Sequence, residues 1–224
     1  MQKTIIRIGI ALALYLGLTY YGGDIGRKIM YPIRLLVTFL HEFGHAFGAL
    51  ITGGDVLNLQ VNADGSGYTT TRGGSRAIVL LGGYIGSAIF GNLLLYIGTR
   101  LEKAANITLL VLSGIMIISA FFWFNSLFTT GLLVGFAIVL SLIATKTNFA
   151  SDVLMFLGLT SILYIIQDFN VGPRSDLNAY AELFVFPPAE VWMYIWLAVA
   201  VILFVFNIRM IFKNAAKASD NMPV

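Results

Sequence analysis

Cysteine is absent from these 224 residues, and histidine occurs only twice. The first absence excludes a disulfide framework and a thiolate metal site, so any bound metal must rely on imidazole and carboxylate. It does not fix the redox compartment. Charge is scarce too. Asp, Glu, Lys and Arg make up 11% of the chain, against about 25% in a soluble domain. The net charge is only +3, and the basic residues are dispersed, so there is no clustered patch of the kind nucleic acid binding needs.

What is abundant is apolar sequence, 58% of residues. It falls into runs at about Thr4 to Tyr21, Met30 to Thr52, Ala77 to Gly98, Ile107 to Phe124, Leu127 to Thr145, Val153 to Ile166 and Val191 to Phe212. Runs of this length read as membrane-spanning helices. The expected fold class is an all-α polytopic membrane protein with six or seven transmembrane helices, forming one domain over residues 1–212 with a basic, unstructured tail at 213–224. The first run has Lys3 before it but ends in Tyr20-Tyr21-Gly22-Gly23, without a small-x-small cleavage site, and so reads as an uncleaved helix rather than a signal peptide. The fourth and fifth runs are divided only by Asn125-Ser126, as in a tight helical hairpin or one broken helix. Basic residues beside the membrane favour a cytoplasmic C-terminus by a small margin.

Both histidines lie in one stretch of the second run, T-F-L-H-E-F-G-H-A-F-G-A-L-I-T-G-G, from Thr38 to Gly54. His41, Glu42 and His45 make an H-E-x-x-H pattern. On a helix, positions four apart are about 40° apart around the axis and about 6 Å along it, so His41 and His45 can reach one tetrahedral zinc ion. Glu42 stands beside them, placed to take a proton from an attacking water. Of eleven acidic residues, Glu42 is the only one well inside an apolar run. An ionisable group there costs at least about 2.5 kcal/mol in lipid, which marks it as functional. Arg34, seven residues before His41, shares the helix face; an arginine near a helix end more commonly snorkels to the interface.

Two polar stretches interrupt the apolar runs. After the motif, Leu57, Leu59 and Val61 alternate with polar residues, Asp64-Gly65-Ser66-Gly67 supplies a turn, and Tyr68 to Thr71 reads as a returning strand. This predicts a β-hairpin over about 56–71. It is either a plain connection or an exposed strand edge, offered by residues such as Leu59 and Val61, that pairs with an extended substrate. The second stretch, about 168–188, carries Ser175 as a plausible N-cap for a short helix starting at Asp176. Gly82, Gly83, Gly86 and Gly91 in the third run allow close helix packing.

A catalytic zinc takes three protein ligands and a water. With no third His and no Cys, the remaining ligand must be a carboxylate. Asp24, Asp55 and Asp64 sit in connecting turns. Asp168 closes an apolar helix and Asp176 begins a short one, and periodicity does not choose between them. Asn125, polar between two apolar runs, either caps the turn or holds substrate near the metal.

These residues resemble a known family. H-E-F-G-H-A-F-G-A-L-I-T-G-G, then D-G-S-G-Y-T-T, then G-G-Y-I-G-S-A-I-F-G-N-L-L-L are similar to the compact bacterial and fungal branch of the site-2 proteases, intramembrane zinc metalloproteases. S-D-L-N-A-Y-A, followed by Pro and a Trp-bearing span, is similar to that branch's S-D-A-x-x-L-A element. The resemblance covers about residues 35–205. It implies that His41 and His45 bind Zn²⁺, that Glu42 is the general base, and that Asp176 is the third ligand with Asp168 in reserve. The better-known members place the ligand aspartate in N-x-x-P-x-x-x-x-D-G. Asn125 matches its Asn, but the Pro is absent and Leu133 stands where the Asp would be. The expected activity is hydrolysis of peptide bonds in or near transmembrane segments, in a multi-pass protein of a bacterial cytoplasmic membrane, with a membrane-protein or peptide substrate and the lipid bilayer as partners. The alternatives are a non-enzymatic membrane metal-binding or transport protein and an inactive protease-like scaffold.

Overall fold

In lipid a backbone must satisfy its own hydrogen bonds, so long apolar runs become helices. The computed structural model describes the chain from Gln2 to Asp220 apart from Asn170, Arg174 and Val185; the side chains of Gln2, Asp168 and residues 214–220 also lie outside the described part. In order, the elements are α1 (Gln2–Leu16), α2 (Gly23–Ile51), the hairpin β1 (Asp55–Val61) and β2 (Gly67–Arg72), α3 (Arg76–Leu81), α4 (Ser87–Arg100), α5 (Ala105–Phe122), α6 (Leu127–Lys146), α7 (Ala150–Asp168), α8 (Asp176–Ala181) and α9 (Ala189–Asp220). A π-helical turn at Gly82–Gly86 joins α3 to α4, so the two form one continuous span.

Six helices are long and apolar enough to cross a membrane, at 3–21, 76–100, 102–122, 127–146, 150–167 and 189–213. This is a multi-pass integral membrane protein. The motif helix α2 is not among the six, because Asp24, Arg27, Lys28, Arg34 and the His-Glu-His group lower its hydropathy. At 29 residues it is nevertheless about 43 Å long. α9 runs on to Asp220, beyond the end of the domain expected at residue 212. Ala and Lys after Phe212 are good helix formers.

α5 and α6 form the tight hairpin. Ser126 caps α6, its Oγ accepting from the Thr129 N–H at 3.1 Å, and Leu112, Met116 and Ala120 are buried with Leu133, Ala137 and Leu140 in the largest core. α4 packs on α7 through glycine: a Cβ on Gly91, Gly98 or Gly158 would run into the opposing helix's backbone, the small-residue contact that draws membrane helices together. Polar ties lock the periphery. Arg7 of α1 reaches Asp152 of α7 at 2.8 Å and also Glu102, and Asn207 of α9 donates to the Asn92 carbonyl of α4 at 2.8 Å.

The hairpin is antiparallel, with Leu59 opposite Thr69 and Val61 opposite Gly67, and a bulge between Val56 and Asn58. It folds back onto α2. Thr52 closes α2 by donating to the Gly48 carbonyl at 2.7 Å, and accepts from the Ser75 N–H at 3.0 Å, pinning both ends of the hairpin beside the helix terminus. Gly53, at φ +80°, turns the chain out of the helix through a conformation other residues resist.

Candidate metal centre

His41 and His45 project from one face of α2, as the four-residue spacing requires. α8 brings Asp176 to them. Asp176 Oδ2 lies 3.0 Å from His41 Nε2 and 3.2 Å from His45 Nε2, and the two Nε2 atoms are 3.2 Å apart. These three form the one group of metal-ligating type found among the described residues. The edges of the triangle are close to the roughly 3.3 Å that separates ligand atoms around a tetrahedral zinc with bonds near 2.0 Å.

The protonation pattern supports the same use. His45 Nδ1 sits 2.7 Å from the Val79 carbonyl, which can only accept, so Nδ1 carries a proton and Nε2 is the ring atom turned toward the triangle. Such a backbone partner is the usual way a metal-binding imidazole is oriented. The three nitrogen and oxygen atoms, within 3.2 Å of one another, need a positive charge among them, which a proton on an imidazole or a metal ion can supply. The donor set fits a divalent ion of zinc's preferences: two imidazoles, one carboxylate and no thiolate. For the Asp176 carboxyl, burial raises the pKa, but the pull of His45 and His41 is larger in sum, and the group is held below the usual carboxylate range.

Glycine makes room for this geometry. A Cβ on Gly83 would stand 2.6 Å from His45 Nε2 and 2.7 Å from His41 Cε1. One on Gly44 or Gly82 would overlap the backbone across the α2 contact. The expectation that Gly82 and Gly83 serve packing is met, and Gly83 does more, since both imidazoles lie over it. Tyr84 backs His41 edge-to-face, ring centroids 4.8 Å apart.

Glu42 is buried, 5% exposed, and points toward the hairpin. Thr69 Oγ1 lies 2.9 Å from Glu42 Oε2 and 3.0 Å from the Glu42 carbonyl, and Gly67 is bare where a side chain would meet the Glu42 carboxylate. His41, Glu42, His45 and Asp176 all line one cavity of 1110 Å³, together with Gly67, Thr69 and Thr71 of β2.

The other expected residues fall elsewhere. Leu59 and Val61 are 1% and 0% exposed in the main core. Their side of β1 is already bonded: Leu59 N–H donates to the Trp123 carbonyl at 3.1 Å, and the Val61 N–H and carbonyl both meet Thr129 Oγ1. The expectation that Leu59 and Val61 offer an exposed strand edge is therefore corrected: the α5–α6 turn covers that end of β1, and the cavity is lined instead by β2. Asn125 neither caps α6 nor lines the cavity; its Nδ2 donates to the Tyr68 hydroxyl at 2.8 Å. Leu133 is fully buried, so α6 brings no ligand. Asp168 ends α7, and its side chain lies outside the described residues. Arg34 turns away from the metal site, its guanidinium against Gly65, and lines a second cavity of 370 Å³ that abuts the first at Val37 and Tyr164.

Sequence reasoning missed Thr69, Gly83 and the Val79 carbonyl. Alternation along β2 puts Thr69 and Thr71 on one face, but only the docked hairpin shows that this face meets Glu42.

Comparison with known proteins agrees with the geometry. The model of the family described as Peptidase M50B-like matches residues 8–207. The chain belongs to that family. It is thus of the site-2 protease type expected from the motif, a type whose members are zinc metallopeptidases. No curated protein and no solved structure matches the chain. In this M50B-like chain the family match includes every residue that lines the cavity, from Val37 to Asp176.

Proposed function

We propose that the protein hydrolyses peptide bonds in or beside the transmembrane segments of other membrane proteins, with His41, His45 and Asp176 holding zinc and Glu42 as general base. The observation that carries this is the meeting of two imidazoles and a carboxylate from segments 131 residues or more apart in a cavity that also contains a buried glutamate and is lined by β2. Zinc, when bound, supplies Lewis acidity that acidifies water and polarises a carbonyl.

The chain's own residues do the rest. Glu42 accepts a proton from the attacking water, whose oxygen bonds to the carbonyl carbon. As the C–N bond breaks, Glu42 returns the proton to the leaving nitrogen. Thr69 orients the carboxylate. The outer edge of β2, at Gly67, Thr69 and Thr71, receives the substrate as an added strand, which requires the substrate helix to unwind locally, since its carbonyls are otherwise bonded within the helix. A bacterial cytoplasmic membrane is the proposed location.

Detergent-purified protein incubated with a fluorogenic membrane-spanning peptide tests the reading. Glu42→Gln keeps the metal content of the parent and loses cleavage. Equal cleavage by the two would end the mechanism. Zinc flux into liposomes that is unchanged by Glu42→Gln would support transport instead.

A further inference from the structure

The third ligand has an anchorage unlike the other two. α8 has only six residues, too few to be stable alone. Its cap is local: Ser175 Oγ accepts from the Asn178 N–H at 3.2 Å and donates to the Gly172 carbonyl at 2.8 Å. Apart from the contact of Asp176 with the two imidazoles, its tertiary hold is apolar. Leu177 is fully buried, beside Val37, Ile165 and Tyr84. Tyr180, one turn after Asp176, packs edge-to-face on both Trp192 and Trp196 of α9, each with centroids 4.9 Å apart.

Trp196 occupies the fork of this arrangement. It is 2% exposed. On one side it meets Tyr180, on the helix that carries Asp176. On the other, its ring lies 6.1 Å from that of Tyr84, which in turn backs His41. One indole therefore touches the supports of two ligands that come from distant parts of the chain. Aspartate and tyrosine four residues apart share a helix face, so a rotation of α8 that freed Tyr180 would swing Asp176 off the triangle.

We propose that Trp196, acting through Tyr180, is a positioning residue that holds Asp176 in the metal site and thereby sets metal affinity. The inference rests on the metal-centre reading above. It does not depend on the chain being a protease.

The test is a double-mutant cycle in zinc affinity, measured on the full chain in detergent by competition with a chromogenic chelator. Trp196→Ala weakens zinc binding about 10–100-fold, the range typical of outer supports, and Trp196→Phe recovers most of it. Asp176→Ala weakens binding at least as much. The deciding variant is the double one: if Trp196 acts through Asp176, the pair binds zinc no worse than Asp176→Ala alone. Losses that multiply, or a Trp196→Ala protein with parental affinity, overturn the proposal and leave Trp196 as core packing. If Trp196→Ala does not fold, Tyr180→Leu carries the same cycle from the α8 side with the same two outcomes. A parent that binds no more zinc than His41→Ala refutes the metal centre itself. A parent that binds zinc through Asp176 but cleaves nothing refutes only the protease reading.

Discussion

The proposed metal site draws on two helices of very different standing. α2 is 29 residues long, gripped along Gly44 and Gly48 by the backbone of residues 78–83, and carries both proposed imidazole ligands and the proposed base within five consecutive positions. α8 carries the proposed carboxylate ligand on six residues held by a cap, a buried leucine and an aromatic clasp. On α2 the ligand geometry is a property of the helix itself. On α8 it is a property of the docking. The strength of a ligand's contribution should follow that difference.

The largest expected effect compares the two directly. His41→Ala removes a ligand from the rigid pair and leaves a lone imidazole with a carboxylate on a short arm; zinc binding at micromolar metal is lost, a drop beyond the roughly 100-fold that outer partners cost. Asp176→Ala leaves the preformed imidazole pair, so zinc binding falls by less than in His41→Ala but by no less than the roughly 10–100-fold that loss of an outer partner costs. Titration of both variants by calorimetry checks the ranking. Equal loss in the two would show that the pair on α2 has no head start and would dissolve the contrast.

Gly83→Ala strikes the rigid side without replacing a proposed ligand. The new methyl lands within 2.7 Å of both imidazoles, and the backbone cannot retreat, because Gly82 and Gly44 already meet backbone to backbone. Overpacking of this kind costs about 1–3 kcal/mol. The expected outcome is a lower thermal midpoint together with zinc affinity reduced about tenfold, the rings being forced off their orientation. A variant with parental zinc affinity would show that the imidazoles have slack, and that α2 is less rigid than its contacts imply.

The same contrast explains what could be read in advance. The α2 pair is legible because an i, i+4 spacing in an apolar run is local geometry, and so are the spans, from the length of their apolar runs, and the hairpin, whose period of 2 is local too. Ser175 and Asp176 were legible as a cap and a first helical residue, since capping chemistry is also short-range. Asp176 is favoured over Asp168 as the proposed third ligand only through the likeness of S-D-L-N-A-Y-A to a family element; periodicity does not choose, because the position of Asp176 depends on where α8 docks, and nothing in that string says that Tyr180 finds Trp192 and Trp196. Leu59 and Val61 were recognised as strand residues with an apolar face, but the sequence does not reveal which edge of a two-stranded sheet the α5–α6 turn will cover.

The smallest effect probes whether even α2 is self-sufficient. Glu42 is on the rigid helix, yet its carboxylate is aimed by Thr69 of β2, 2.9 Å away. Thr69→Val keeps the shape and removes the hydrogen bond. A bond to a carboxylate contributes about 1.5 kcal/mol, close to tenfold in rate, so turnover should fall about tenfold while zinc content and substrate affinity stay at parental values, and Thr69→Ser should restore it. Loss of zinc in Thr69→Val would mean the hairpin supports the ligands rather than the base. Unchanged turnover would mean α2 alone positions Glu42, and the division between a self-defined helix and a docked arm would then hold for the whole catalytic set.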